Sequence, residues 1–196
     1  PTGLAAAEVI AVSSLTGAGL DALNAQLVAA QTALPPTRPG GHFRLAVDRS
    51  FSLAGIGTVV TGTAVSGQVA VGDQLLLSPS GRTVRVRGLH AHNQKTERGQ
   101  AGQRLALNLA GVEKNEVRRG EWLLPAAAHA PTQRIDARLR LLASEAKALV
   151  HWTPVHLHLG AEDVSARVAL LDGQSIAPGS SALVQIELDR PIGALH

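Results

Sequence analysis

Histidines and arginines are the residues whose type and spacing could do chemistry in this sequence. His156 and His158 stand two apart, so on a strand they share one face, and His151 lies close by. Such a set could ligate a metal ion. No carboxylate accompanies them at ligand spacing, so a polar barrel face is the plainer reading, and His90 and His92 read the same way. Arg82, Arg85 and Arg87 form a basic cluster, with Arg85 and Arg87 on the face opposite Val84 and Val86. They could meet phosphates or a nucleic-acid backbone; a solvated barrel face accounts for the same spacing. Catalytic motifs are absent. There is no phosphate loop of the form G-x-x-x-x-G-K-[ST], no G-x-S-x-G elbow and no H-E-x-x-H. Gly55-Ile56-Gly57 opens a G-x-G without its third glycine or a following helix, which predicts a turn between strands.

The elements that must carry these residues are mostly strands. Pro35-Pro36-Thr37-Arg38-Pro39-Gly40-Gly41 cannot continue a helix and predicts a linker over 35–41; Pro125 to Pro131 is a softer boundary. Residues 1–34 contain the apolar run Val9-Ile10-Ala11-Val12, expected as a strand, and a helix with Leu20, Leu23, Leu27 and Leu34 on one face and Asp21 near its positive end. A strand and a helix cannot bury a core, so this piece is expected to be the end of a larger α/β domain. Residues 42–125 predict a barrel of six or seven strands. Phe43, Leu45 and Val47, then Val84 and Val86, then Leu105, Leu107 and Leu109 each alternate with polar or small residues. Gly62, Gly67 and Gly72 suit turns and bulges in a closing barrel. Residues 132–196 predict further strands at 135–142, 155–159, 164–171 and 182–188. Four or five strands close a barrel poorly, so a truncated second barrel lacking a final hairpin is expected.

Composition narrows the class. With 45% hydrophobic residues the chain can build cores, and with only 2% aromatics those cores must be Val, Leu, Ile and Ala. The absence of Cys excludes disulfides and thiolate metal sites. No apolar run reaches the ~18 residues of a membrane span, and no signal peptide is present, so a soluble cytoplasmic protein is expected. Residue 1 is Pro and Met is absent, which reads as a piece of a longer chain. Of the 18 basic residues 15 are Arg, and the net charge is +3. Arginine favours bidentate recognition of phosphate and carboxylate, so a polyanionic partner and an ordinary solvated surface both fit.

An ordered set of motifs goes further. Phe43-Arg44-Leu45-Ala46-Val47-Asp48-Arg49-Ser50-Phe51 leads into Gly57-Thr58-Val59-Val60-Thr61-Gly62-Thr63. There follow Val71-Gly72-Asp73, Arg85-Val86-Arg87, Ala101-Gly102-Gln103-Arg104-Leu105-Ala106-Leu107-Asn108 and Arg119-Gly120-Glu121-Trp122-Leu123. This set resembles the second domain of the selenocysteine-specific elongation factors of bacteria. G-T-V-V-T-G and R-G-x-x-L are shared more widely among translational GTPases; D-R-x-F and A-G-Q-R-x-A-L-N narrow the resemblance. Val12-Ser13-Ser14-Leu15-Thr16-Gly17-Ala18-Gly19-Leu20 resembles the last guanine-recognition motif of a GTPase domain, with Ser13, Ser14 and Leu15 at the matching positions. By itself a Ser-rich turn before a helix is usually an N-cap. Residues 132–196 resemble the third domain more weakly.

The resemblance implies a mainly β fold: two translation-factor barrels preceded by a strand and helix from an α/β GTPase domain. It implies a factor that binds selenocysteyl-tRNA and delivers it to the ribosome, using GTP or GDP with Mg in the intact protein. The mRNA hairpin would be met by C-terminal domains outside these residues. No nucleotide, metal or enzymatic activity is expected within these residues themselves. The family's aminoacyl pocket, an acid and two arginines, falls on Asp48, Arg49 and Arg104, with both arginines facing the selenolate and Asp48 taking the α-amino group. Neighbours on a flat strand point to opposite faces, so Asp48 and Arg49 can share a ligand only if the strand ends, twists or bulges there. Other readings are an elongation factor Tu or initiation-factor barrel without this pocket, and a barrel interaction module unrelated to tRNA. The last usually stacks bases on aromatics, and here only Phe43, Phe51, Trp122 and Trp152 are available.

Overall fold

The period-two stretches become paired strands because one face of each is apolar and can be buried only against others like it. A computed structural model describes residues 7–34 and 40–193. The linker expected at 35–41 lies largely outside the described residues. Two units result, Pro1–Thr37 and Arg38–His196.

Among the described residues of the first unit one helix, α1 (Leu20–Ala33), follows a turn. The strand expected over Val9–Val12 is not formed: the run pairs with no neighbour among the described residues, and Val9 is exposed. A strand exists through its ladder, and among the described residues no partner strand accompanies the run. The Ser-rich turn is real. Ser13 Oγ accepts the Thr16 N–H at 3.2 Å, and the Gly17 N–H reaches the Ser13 carbonyl at 2.9 Å. Ser14 and Leu15 are exposed. The residue that caps α1 is Gly19, not a serine. Its left-handed backbone brings it so near the chain that an added Cβ would lie 2.1 Å from the Ala11 carbonyl oxygen.

The second unit begins with β1 (Arg44–Leu53), β2 (Gly57–Ser66), β3 (Gln68–Ala70), β4 (Gln74–Ser78), β5 (Arg82–Ala91), β6 (Gln94–Thr96), β7 (Arg98–Gln100), β8 (Arg104–Ala110) and β9 (Trp122–Leu124). The sheet runs β4-β9-β1-β2-β8-β5, and β4 also pairs with β5, so six strands close into a barrel. The small β6 extends β5, and β3 pairs with β7. Leu45, Val47, Val60, Leu77, Val84, Leu105 and Leu107 are buried inside the barrel. Gly55-Ile56-Gly57 is the β1–β2 turn, as its sequence suggests. Gly62 is not a turn residue. It sits in mid-strand on β2, where a Cβ would lie 2.0 Å from the Ala46 carbonyl oxygen.

The remaining strands are β10 (Pro131–Arg140), β11 (Leu149–Val150), β12 (Thr153–Leu159), β13 (Glu162–Leu170), β14 (Ser175–Ile176) and β15 (Ser181–Gly193). They make a four-stranded sheet, β10-β15-β13-β12, and the pair β11–β14 around a core of Val164, Val168, Val184, Ile186 and neighbours. β10 starts at Pro131, at the end of the softer boundary. No helix among the described residues is long and apolar enough to cross a membrane.

The two β domains are in tight contact. Glu162 is buried, pairs with Arg190 and packs on Gly120, where a Cβ would come within 2.7 Å of the Glu162 Cα. A Cβ at Gly193 would be as crowded, 2.7 Å from the Trp122 ring. His129 Nδ1 meets Ser78 Oγ at 3.1 Å. Gly120 also has φ +93°, a region side chains disfavour. Gly120→Ala is therefore expected to cost about 2–4 kcal/mol by overpacking plus strain, read as a lower urea midpoint.

Glu121 is buried beside this contact and accepts the Arg118 N–H at 2.9 Å. Burial pushes its carboxyl above the ordinary range; the Arg118 contact acts the other way, and the charge of Glu162 adds to the rise. An acid raised on folding binds more protons folded than unfolded, so its contribution is present below about pH 4.5 and lost as pH rises through the folded value. Glu121→Gln is expected to match the parent in stability near pH 4 and exceed it at pH 7, measured by urea denaturation at both.

Candidate functional site

The site forms where β1, β2 and β8 lie side by side. Val47 pairs with Gly62 and Arg49 with Thr61, which leaves Asp48 as the extra residue of a β-bulge. The bulge removes the objection that Asp48 and Arg49 must face opposite ways. On the other side of β2, Thr63 pairs with Arg104, the first residue of β8. Thr61 and Arg104 thus meet Asp48 at the rim of the barrel.

The contacts are specific. Thr61 Oγ1 donates to Asp48 Oδ1 at 2.7 Å, and Arg104 Nη2 donates to the same oxygen at 3.0 Å. Arg104 Nη1 donates to Asp48 Oδ2, completing a two-toothed fork, and Nη2 also lies 3.3 Å from Thr61 Oγ1. This hydrogen bonding to Arg104 holds the Asp48 carboxyl below its ordinary value; partial burial opposes it, and Thr61 and the charges of Arg104 and Arg49 add to the lowering. The same bond pushes the Arg104 guanidinium up. Asp48 is therefore a carboxylate and Arg104 a cation at neutral pH. The Asp48 side chain is 29% exposed and that of Arg104 55%, so both face solvent at the rim.

Arg104 and Thr61 line a cavity of about 330 Å³ together with His90, His92 and Asn93. His92 and Asn93 form the β5–β6 turn, both with positive φ, at 52° and 61°. His90 lies on β5 and His92 in the turn after it, and both reach the cavity because β5 pairs with β8. Arg49 is exposed and is not among the cavity's lining residues, though its charge acts on Asp48. The structure thus joins Asp48 to Arg104 directly and places Arg49 at their edge.

A second hollow of about 480 Å³ adjoins the first and shares His90 and Ala106 with it. Its walls include Phe51, Leu53, Ile56, Val59 and Leu89, and Leu53 and Ile56 remain largely exposed. Arg87 and Lys95 edge it. Arg87 is there because β5 also bulges: Val86 pairs with Leu109 and Gly88 with Asn108, leaving Arg87 between them. Asn108 Oδ1, also in this wall, is buried without a hydrogen-bond partner. Such an acceptor suits a donor brought by a ligand. Within the basic cluster, Arg82 is tied to Glu116 at 2.6 Å.

The histidines of the second β domain are placed differently from their sequence reading. A carboxylate does accompany them: Asp163, on the neighbouring strand, lies 3.1 Å from His156 Nδ1 and 3.9 Å from His158 Nδ1. Spacing along one strand cannot reveal a partner across a ladder. His151 instead accepts the Leu170 N–H at 3.0 Å and meets the Trp152 ring edge-on. Among the described residues no group of three His, Asp or Glu side chains is arranged to hold a metal ion.

Comparison with known proteins follows the two β domains. Residues 57–124 match the family model of elongation factor Tu domain 2, and residues 132–196 match that of the selenocysteine-specific elongation factor β-barrel domain. The chain is 37% identical over 193 residues to the selenocysteine-specific elongation factor of Desulfomicrobium baculatum, covering 98% of the chain and 30% of that relative. Against the factor of the same name from Escherichia coli strain K12 it is 43% identical over 173 residues, covering 87% and 27%. The crystal structure of translation elongation factor SelB from Methanococcus maripaludis, apo form, shares the fold with a TM-score of 0.78 at 24% identity, over 93% of this chain and 43% of that one. The chain spans less than a third of the length of these two curated relatives.

Proposed function

We propose, from the match of residues 57–124 to the elongation factor Tu domain 2 model and of residues 132–196 to the selenocysteine-specific elongation factor β-barrel model, that the first barrel holds the aminoacyl end of selenocysteyl-tRNA. The observation that carries this reading is the Asp48–Thr61–Arg104 constellation opening beside an apolar, basic-edged hollow. A carboxylate suits the free α-amino group of an aminoacyl ester. Guanidinium groups suit a selenolate, because a selenol ionises far more readily than a thiol or hydroxyl. Seryl-tRNA, the neutral precursor, would gain little from them. The hollow offers apolar contact for a terminal nucleobase, Asn108 Oδ1 for an amino group on it, and Arg87 and Lys95 for the adjoining phosphates.

In this reading the remaining activities belong to the intact factor. They are GTP or GDP binding with Mg, GTP hydrolysis, delivery to the ribosome in the cytoplasm, and contact with the mRNA hairpin. Ser13, Ser14 and Leu15 would face guanine there, and no catalysis is assigned to the residues of this chain.

Titration of isotopically labelled protein with a short 3′-terminal RNA bearing selenocysteine tests the placement. Resonances of Asp48, Thr61, His92, Arg104 and Asn108 are expected to shift together. Shifts confined to the second β domain would contradict the assignment.

A further inference from the structure

Asp48 and Arg104 are each other's partner. Both carboxylate oxygens are taken by the Arg104 fork, and Thr61 holds one of them as well. The group assigned to the ligand's ammonium and the group assigned to its anion thus neutralise each other. We infer that Asp48, Arg104 and Thr61 form an exchange gate, which a ligand opens only by bringing an ammonium for Asp48 and an anion for Arg104 together. This inference rests on the aminoacyl reading of the site.

The reasoning is a count of partners. A ligand with both charges replaces one internal ion pair by two protein–ligand pairs, and no charge is left alone. Serine on its ester brings the ammonium only. It must either leave Arg104 without an anion or leave the internal pair closed. An acylated selenocysteine brings the anion only, and strands Asp48 in the same way. Selection is therefore conjunctive: the effect of the anion depends on the presence of the ammonium. The parts are built unequally for such an exchange. Asp48 is fixed by the bulge in β1 and by the 2.7 Å hydrogen bond from Thr61, whereas Arg104 is the more exposed partner and has a long side chain able to swing. Thr61 is accordingly a positioning residue that keeps Asp48 aimed once Arg104 turns to the ligand.

The test measures dissociation constants of this chain for four adenosine 3′-esters under reducing conditions at pH 7: selenocysteinyl, N-acetylselenocysteinyl, seryl and N-acetylseryl. Selenium in place of oxygen is expected to tighten binding at least tenfold with the free amine and less than threefold with the acetylated one, by the coupling expected of groups in one network. In Asp48→Asn, which keeps the shape and the Thr61 contact, the two ratios are expected to become equal. Thr61→Val should lower the coupling and Thr61→Ser should keep it, with unchanged thermal midpoints. Equal ratios in the parent protein would overturn the gate and leave the aminoacyl reading standing. Four indistinguishable affinities, or no binding by any ester, would overturn both.

Discussion

Arg104→Ala is expected to weaken binding of a selenocysteinyl ligand by roughly ten- to a hundredfold, the range of one charge-assisted hydrogen bond. Binding of the seryl ligand should stay the same or tighten slightly, because Asp48 is released for the ammonium. Arg104→Lys keeps the charge and loses the planar fork, so it should fall between the two. Stability should change little. The pair is partly exposed and solvent-screened, which limits its worth to under about 1 kcal/mol. Isothermal titration with both ligands, beside a urea melt, separates a binding effect from a folding one. Equal weakening of both ligands would mean that Arg104 serves the barrel rather than the side-chain anion.

Gly62→Ala is expected to have the largest effect on the fold, about 3–5 kcal/mol. The new Cβ would meet the Ala46 carbonyl oxygen at 2.0 Å and Leu45 Cδ2 at 2.6 Å, and the first of these is backbone that cannot turn aside. β1 must move away from β2. Since β1 carries the bulge at Asp48, ligand discrimination should fall along with stability. Gly99→Ala is the informative control. Its crowding is with the Leu105 side chain, at 2.7–2.8 Å, which a rotamer change can relieve. A urea series on both variants, with hydrogen exchange of the β1 amides, should find the loss at Gly62 clearly larger; equal midpoints would refute the argument.

The barrel was legible because its signal is local. Leu45, Val47, Val84, Leu105 and Leu107 sit at period-two positions, and all are buried. The resemblance of the D-R-x-F and A-G-Q-R stretches brought Asp48 and Arg104 together before any geometry did. What stayed hidden depends on pairing between strands. The bulges at Asp48 and Arg87 are offsets in register, which neither strand's own sequence declares. His92 and Asn93 reach the cavity because the β5 that leads into their turn pairs with β8. Asp163 reaches His156 across a ladder, and Glu162 reaches Arg190 between β13 and β15. Val9–Val12 shows the converse: a strand-like run remains unpaired where the described residues supply no neighbour.

The central claim is selection of an anionic aminoacyl group, and the most direct measurement compares selenocysteyl-, cysteinyl- and seryl-tRNA binding to this chain. The affinities are expected to rank with the ease of ionisation, selenocysteine first, cysteine next and serine last, with at least a tenfold step between selenocysteine and serine. Equal affinity for all three would contradict the account.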